Sequence, residues 1–373
     1  MGKIENNLFS IFLILMWLTI AKHILENNGN MILILVLFFI CIVIGAAAIL
    51  ITKVETEYGK SQSSIIKYTN DTEFKAVFDE VYKEFSPKLK ALNKQIKISF
   101  ILSIMMFATG FMCALSNQTL FIVLSIIGAY FIIMSYINYH EYTVIYKKKV
   151  VDRFIKSIDP RLGFSDTISR EQIKSKFIDS RFKENYFTTI NVDDCITANI
   201  EGYEMTFADV ALNAVLKVDK TTKNVKVFEG SFANIELDKD IDFELIITRN
   251  ERFIEKILNR DNRPYQDLNK FELDSALFEE YFDIYTTNEI EAMRILTHDV
   301  MDKLVEFAEY NIEFEIAIRN NHLYIIFNTG SMFEPRLSKE PMDIDLLYTY
   351  YFLFLFIVLL TGQLHNVMQE YIP

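Results

Sequence analysis

The side chains in this sequence best suited to acid–base or metal chemistry are five histidines: His23, His140, His298, His322 and His365. Histidine is the commonest metal ligand and the usual acid–base group near neutral pH. No two of the five have the HxxxH or HExxH spacing that brings two imidazoles to one face of a helix. The sequence therefore predicts no metal ligands and no cofactor.

Glu291, His298 and Asp299 are the candidate catalytic residues that the sequence offers. They would suit a membrane-tethered hydrolase or a metal-dependent enzyme. His298 and Asp299 are adjacent, and adjacent side chains on a helix point about 100° apart, so this pair needs a third group from elsewhere in the fold. A place at the start of a helix explains both residues without catalysis. Enzymatic activity stays open, and the sequence favours its absence.

Other acidic residues cluster without a metal-binding pattern. None of the clusters has the glycine and the terminal glutamate of an EF-hand loop. No phosphate-binding GxxxxGK[ST], dinucleotide-binding GxGxxG or nucleophile-bearing GxSxG motif is present. These acidic residues are Asp193, Asp194, Asp238, Asp240, Asp242, Glu289 and Glu291.

Composition narrows the class of protein. The formal net charge is −12, which argues against nucleic-acid binding because that needs a basic face. The three cysteines show no paired spacing, so neither a disulfide framework nor a zinc site is indicated. Two of them, Cys41 and Cys113, lie in apolar runs, and the isolated Cys195 is expected to be buried.

Uncharged apolar runs are concentrated in the first 140 positions. The clearest pair forms a hairpin over 98–138, and each arm suits a hydrocarbon core of roughly 30 Å. An earlier pair, Leu8 to Leu25 and Met31 to Thr52, predicts a second hairpin; a signal peptide is the competing interpretation of its first run, but no cleavage site follows. None of the runs carries an ionisable residue at membrane depth, which argues against transport.

The distribution of lysines and arginines predicts how the two transmembrane hairpins are oriented in the membrane. They are frequent in 53–97 and again just after 138, whereas the short loops 27–30 and 116–118 contain none. The positive-inside rule then predicts a multi-pass protein of the cell membrane, with its N-terminus and its C-terminal domain in the cytoplasm.

Four segments follow from these features. They are an N-terminal transmembrane hairpin (1–52), a cytoplasmic linker with an amphipathic helix (53–97), a second transmembrane hairpin (98–138) and a cytoplasmic domain (139–373). In 72–97 apolar residues recur every three or four positions; packing on the chain's own domain is favoured over a membrane-surface or partner-binding helix. Pro87 should end or kink this helix.

The cytoplasmic domain is predicted to be α+β, because strand-like and helical periods are mostly segregated. Short strands are expected at 194–200, 203–208, 213–217, 225–229 and 243–248, with a bulge or turn at Gly230. Asn320-Asn321 should join a hairpin of 312–319 with 322–328. A capping box at Thr286–Glu289 and a cap at Thr297 predict two helices.

Three stretches together resemble a bacterial membrane-protein family, domain of unknown function 3137. They are YKKKVV (146–151), VFEGSF (227–232) and the run FELDSALFEEYFDIYTTNEIEAMRILTHDVMDKL with the later IRNNHLYIIF and MFEPRL. The resemblance spans about Asp71 to Leu337 and implies a bacterial membrane protein without an assigned activity. Met293, Ile295 and His298 depart from the family pattern, and the first hairpin is not typical of it.

The last apolar run, 346–360, is either a fifth span or a buried helix; at about 15 residues it is short for a span, and we favour a buried or membrane-lying helix. The sequence thus predicts a membrane protein whose cytoplasmic domain binds a ligand or partner or holds an assembly. Besides the enzyme, a small channel or envelope-stress effector is an alternative. Expected partners are the lipid bilayer, a second copy of the chain and, implied by the resemblance, a LemA-like membrane protein.

Overall fold

The computed structural model describes residues 66–113, 118–164, 170–183, 187–200, 202–218, 221–237, 241–249, 265, 267–273, 275–310 and 312–371. The predicted first hairpin lies outside these residues. The described chain divides into two units. The helical unit contains Pro87–Thr143 and Leu337–Lys339, and the sheet unit contains the described residues of 66–86, Val144–Arg336 and 340–371.

Three described helical stretches are long and apolar enough to cross a membrane: Thr72–Phe111, Thr119–Ile158 and Ile344–Glu370. In the first two, the most apolar 18 residues are only 22% and 6% buried. Large apolar side chains such as Ile101, Ile126 and Ile133 are more than half exposed. Such a surface suits lipid rather than water.

Helices α1 (Thr72–Cys113) and α2 (Gln118–Ile145) carry this apolar surface. A Cβ atom built on Gly110 would lie 3.2 Å from Cβ of Leu124, and one built on Gly128 would lie 2.9 Å from the ring of Phe107. Glycine at these two positions lets the two helices approach closely.

Helix α1 continues through Pro87, so of the two expectations for this position, an end or a kink, the end is wrong. Proline removes one hydrogen bond to the carbonyl four residues earlier. Buried side chains on both sides of it, Val81 and Leu89, keep the apolar stripe in register and hold the helix together. Upstream of Pro87, the ring of Phe74 lies 5.3 Å from that of Phe154 and 5.0 Å from that of Tyr348, between centroids. These contacts agree with the favoured prediction that the apolar stripe of this helix packs on the chain's own domain.

The sheet unit is built on one antiparallel sheet of nine described strands in the order β1-β2-β3-β4-β9-β8-β5-β7-β6. This confirms the α+β class. The strands are β1 (Gly163–Phe164), β2 (Thr189–Ile200), β3 (Tyr203–Val218), β4 (Thr221–Glu236), β5 (Leu245–Arg249), β6 (Asn269–Phe271), β7 (Phe282–Thr286), β8 (Phe314–Arg319) and β9 (His322–Phe327).

Two of these strands are longer than the sequence indicated. The strands expected at 203–208 and 213–217 are one strand, β3, and β4 continues through Gly230 instead of turning there. A Cβ atom at Gly230 would lie 2.0 Å from the carbonyl oxygen of Phe327. Gly230 therefore marks a close approach of two backbones.

The remaining helical elements cover the two faces of the sheet. Ile173 and Phe177 of the helix Arg170–Asp179 (α4) belong to a core with Phe232 and Tyr324. Phe307 of the helix His298–Ala308 (α7) packs on Phe356 of the helix Ile344–Tyr371 (α8) at 3.7 Å between ring centroids. The elements are a π-helical segment (Tyr146–Val151), α3 (Asp152–Ile158), α4 (Arg170–Asp179), α5 (Ala276–Tyr281), α6 (Glu289–Ile295), α7 (His298–Ala308) and α8 (Ile344–Tyr371).

The helix caps and the hairpin turn that the sequence predicts are only partly confirmed. Thr297 caps α7 as predicted, with its hydroxyl accepting from the Val300 amide. The capping box at Thr286 is wrong: Asn288 caps α6, because Thr286 is already the last residue of β7. Asn320 and Asn321 both have positive φ, which a two-residue hairpin turn needs.

Helix α8 contains the apolar run 346–360, for which the sequence allowed either a fifth span or a buried helix. Its most apolar 18 residues are 67% buried by the protein itself. Leu353, Phe354 and, one turn later, Ile357 are buried, and Phe354 packs on Phe207 of the sheet at 4.6 Å between ring centroids. The burial favours the expected buried helix, although α8 is long enough to span a membrane.

Candidate functional site

A largely buried cluster of charged side chains surrounds Lys147. Its ammonium lies 2.5 Å from a carboxylate oxygen of Asp194 and 2.7 Å from one of Glu334. The side chains of Lys147 and Asp194 are only 13% and 12% exposed. We call Lys147, Asp193, Asp194, Asp209 and Glu334 the charged cluster.

The backbone around two of these residues is irregular. Lys147 lies in the π-helical segment that directly follows α2. Asp194 lies at an irregularity in the pairing of β2 with β3 and has a φ of 44°. Bulges of both kinds, in helices and in sheets, re-aim side chains and occur often at functional sites. Here they direct Lys147 and Asp194 toward each other.

Asp209 is the buried part of the cluster. It lies on β3 opposite Ser231 of β4 and is 5% exposed. One carboxyl oxygen lies 3.0 Å from the Ser231 hydroxyl; the other accepts from the amide of Met332 at 2.8 Å and the hydroxyl of Ser331 at 3.2 Å. Asp209 thus holds the segment that leads to Glu334.

Burial raises the pKa of the Asp209 carboxyl to about 8, and the charge of Asp194 adds to the rise. The donors from Met332, Ser231 and Phe333 oppose it. A protonated carboxyl fits the surroundings: its hydroxyl can donate to Ser231, whose own hydroxyl lies 3.2 Å from that of Thr329. Burial also raises the pKa of Asp194, against the effect of the Lys147 ammonium.

Carboxylate oxygens of Asp193, Asp194 and Glu334 lie within 4.8 Å of one another, close enough to hold a metal ion. Two of the three carboxylates already contact the Lys147 ammonium. A divalent cation would therefore have to displace Lys147 or compete with its charge. The arrangement resembles an internal ion pair more than a vacant chelate.

The candidate catalytic residues lie elsewhere. Glu291 on α6 pairs with Arg294, at 2.6 Å between carboxylate and guanidinium. His298 and Asp299 are exposed in the first turn of α7. No hydrogen bond or ion pair joins any two of the three in the described part of the chain. Their catalytic role stays a prediction.

Two further histidines have structural partners. A ring nitrogen of His322 lies 2.7 Å from the ammonium of Lys176, and burial lowers the His322 pKa. A ring nitrogen of His365 lies 2.9 Å from the hydroxyl of Tyr203.

Sequence reasoning did not select Lys147, Asp209 or Glu334. Lys147 is one of three consecutive lysines, and only the fold distinguishes it from its neighbours. Asp209 had a usable signal, since it is the one charged residue in the strand stretch 205–212, MTFADVAL. A lone carboxylate in such a run has to find buried partners.

Segments from all three stretches of the family resemblance meet at the charged cluster: 146–151 supplies Lys147, 227–232 supplies Ser231, and MFEPRL (332–337) supplies Glu334. Residues 226–365 match the family model described as "Protein of unknown function (DUF3137)". This stretch is similar to that family. The match confirms the resemblance over residues 226–337, and it begins after the lysine-bearing segment.

Among solved structures, part of this chain aligns with the mycobacterial trehalose monomycolate transport factor A, TtfA. The alignment has 8% sequence identity and a TM-score of 0.30, and covers 59% of this chain and 96% of that one. No curated protein matches the sequence.

Proposed function

We propose that this chain is an integral membrane protein of bacterial type whose sheet unit is a non-catalytic binding or assembly module. The observation that carries the proposal is the exposure of apolar side chains along α1 and α2. Large residues such as Ile122, Ile126 and Tyr136 are more than half exposed on helices that are long enough to cross a bilayer. Lipid is the partner that such a surface fits.

The distribution of lysines supports a cytoplasmic sheet unit. The segments on either side of the hairpin 98–138 are rich in lysine, whereas the turn at 116–118 has none. The positive-inside rule assigns the turn to the outside of the cell membrane. An acidic chain of net charge −12 is not suited to nucleic acid, so a protein is the expected partner.

We assign partner binding to the charged cluster. Lys147 lies in the π-helical segment after α2 and pairs with Asp194 of β2 and with Glu334 of the segment after β9. A partner that contacts Asp194 or Glu334 would act on these two ion pairs. The resemblance points to a LemA-like membrane protein.

Two measurements test the proposal. After alkaline carbonate extraction of bacterial membranes, the full chain should stay in the pellet; recovery in the supernatant would refute the membrane part. Affinity capture from native membranes with mass spectrometry should recover a membrane protein with the wild type and with Lys149→Met, and lose it with Lys147→Met. Equal recovery with both variants would refute the assignment of the binding site.

The proximity of three carboxylates favours one second candidate, a membrane-tethered metal-dependent enzyme or hydrolase. In that case the wild type would bind Mn²⁺ in calorimetry, and Glu334→Gln would abolish binding. A hydrolase that instead uses Glu291, His298 and Asp299 would lose activity in Glu291→Ala and His298→Ala. An unchanged phenotype of both alanine variants would refute that version.

A further inference from the structure

The helical unit is basic, although the chain as a whole has a net charge of −12. It contains five lysines and one glutamate. The glutamate, Glu141, is paired with Lys88 at 2.8 Å between carboxylate and ammonium. Lys94, Lys97 and Lys339 are exposed, and none of the three forms an ion pair with another described residue. The unit therefore presents positive charge that the described chain leaves without a counter-charge.

Lysines and apolar side chains follow one line along α1. Lys90, Lys94 and Lys97 are four and three positions apart, so their side chains leave the helix on the same side. The same spacing continues with Ile101 and Met105, which are 56% and 55% exposed. We call these five residues the lysine stripe. Along it, one side of α1 changes from positive to apolar within a single turn.

The change takes place where α1 is expected to enter the membrane. The part of α1 from 98 to 113 has no charged side chain and is about 24 Å long, most of a hydrocarbon core of roughly 30 Å. The Ser135 hydroxyl of α2 donates to the Ile96 carbonyl at 3.3 Å, so the two helices are level there. The next residue, Tyr136, is 69% exposed, and tyrosine is enriched at the membrane–water interface.

The geometry of the lysine stripe suits one phosphate group. Side chains three positions apart on a helix have Cβ atoms about 5–6 Å apart. The lysine side chain has a flexible four-carbon stem and three ammonium donors, so Lys94 and Lys97 can both reach one phosphate between them. Basic residues at the membrane surface attract anionic lipids, and each one adds to the binding.

We propose that the lysine stripe binds an anionic phospholipid of the cytoplasmic leaflet. Lys94 and Lys97 contact the headgroup phosphate, and an acyl chain lies along Ile101 and Met105. The positive charge selects an anionic lipid over a zwitterionic one, and the apolar continuation selects a lipid over free phosphate. This inference rests on the proposed insertion of α1 and α2 in a membrane, and it adds the class of lipid that they bind.

The test is lipid retention by the full-length chain in native mass spectrometry. The chain, purified in a neutral detergent, is incubated with equal amounts of phosphatidylglycerol and phosphatidylcholine that have the same acyl chains. We expect the wild type to retain phosphatidylglycerol preferentially. In Lys94→Gln/Lys97→Gln the ratio of bound phosphatidylglycerol to phosphatidylcholine should fall by about tenfold or more, because both headgroup charges are lost. Lys94→Arg/Lys97→Arg keeps both charges and should keep the ratio.

Lys83→Gln/Lys149→Gln is the matched control. It removes the same charge from two exposed lysines, which lie more than ten positions before Lys94 and after Tyr136. This variant should retain lipid as the wild type does. Inorganic phosphate at millimolar concentration should not release the lipid from the wild type, because the acyl chain also contributes to binding. Circular dichroism of every variant separates lost lipid binding from lost folding.

Several results would overturn the proposal. They are equal retention of the two lipids by the wild type, an unchanged ratio in a folded Lys94→Gln/Lys97→Gln variant, and an equal fall in the control. Release of the lipid by inorganic phosphate, or a protein held by the same two lysines in place of lipid, would do the same. Carbonate extraction keeps the two proposals apart: a wild type that stays in the pellet without a lipid preference contradicts the lipid site alone.

Discussion

The single side chain with the largest expected effect on stability is Lys147. Lys147→Met keeps most of the aliphatic length but leaves Asp194 and Glu334, whose side chains are only 12% and 23% exposed, without the ammonium that pairs with them. Removing one partner of a buried ion pair costs about 3 kcal/mol or more. We expect the free energy of unfolding of the full chain in detergent to fall by that amount.

The matched control is Lys149→Met, two positions along the same segment and exposed. It should change the free energy of unfolding by less than about 0.5 kcal/mol. Equal effects of the two substitutions, measured by chemical denaturation with circular dichroism, would contradict the role given to Lys147.

The buried carboxyl of Asp209 should make the stability of the protein depend on pH. Its folded-state pKa of about 8 lies above the unfolded value of about 3.9, so between these values the folded state binds the extra proton. Stability contributed by this group is therefore present at low pH and is lost as pH rises toward 8, by up to about 1.4 kcal/mol per unit. Asp209→Asn, which mimics the protonated acid, should remove this part of the pH dependence.

The measurement compares thermal unfolding of the wild type and Asp209→Asn at pH 5 and pH 8. We expect the unfolding temperature of Asp209→Asn to rise relative to that of the wild type between pH 5 and pH 8. Asp302→Asn, at an exposed position, should show no such trend. A difference between wild type and Asp209→Asn that is the same at both pH values would disprove a proton held by Asp209.

Which residues form the candidate site was harder to predict from the sequence than the fold was. Glu291, His298 and Asp299 were selected because their side-chain types suit chemistry, but two of them are exposed helix-start residues and the third pairs locally with Arg294. Lys147, Asp194 and Glu334 meet through contacts 47 and 187 positions apart along the chain. No local pattern encodes such a meeting; the family resemblance marked the segments of Lys147 and Glu334 but not that of Asp194.

At the scale of elements, Gly230 is the strongest constraint in the sheet. In Gly230→Ala the new methyl group would have to occupy the space of the Phe327 carbonyl, which is backbone and cannot rotate away. Strands β4 and β9 would have to separate at the start of their pairing, beside Ser231. We expect a loss of about 3 kcal/mol in unfolding free energy.

Gly362→Ala provides the comparison for that prediction. Gly362 lies in helix α8, and a Cβ atom there meets nothing within 4 Å. Alanine should stabilise this helix by about 0.5–1 kcal/mol, because glycine is the poorer helix former. A Gly230→Ala protein as stable as Gly362→Ala would show that β4 and β9 do not approach as described.

Elements were predictable where the signal is periodic and local. The apolar stripe of α1, the cap at Thr297 and the turn at Asn320-Asn321 depend on neighbouring residues, and the structure has all three. Strand lengths were not predictable, because the inner part of β3 is apolar on both faces and so shows no alternation. Of the end or kink expected at Pro87, the end was wrong, because buried contacts on both sides outweigh one lost hydrogen bond.

At the scale of the whole molecule, the open question of architecture is whether α8 is a span, because the side of the membrane on which the chain ends depends on it. Its length and hydropathy permit a span, but two-thirds of its most apolar stretch is buried in the sheet unit. A helix whose apolar surface is already covered gains little from lipid. We therefore expect the C-terminal end of α8 to lie on the same side as Lys149.

Cysteine labelling tests this arrangement directly. In a chain whose native cysteines are replaced by serine, Asn117→Cys should react with a membrane-impermeant maleimide added to intact cells. Lys149→Cys and Gln369→Cys, both at exposed positions, should react only after permeabilisation. Labelling of residue 369 in intact cells together with protection of residue 149 would make α8 a span. That result would also require the contact of Phe354 with Phe207 to be broken in the membrane-bound protein, because Phe207 belongs to the sheet that follows Lys149.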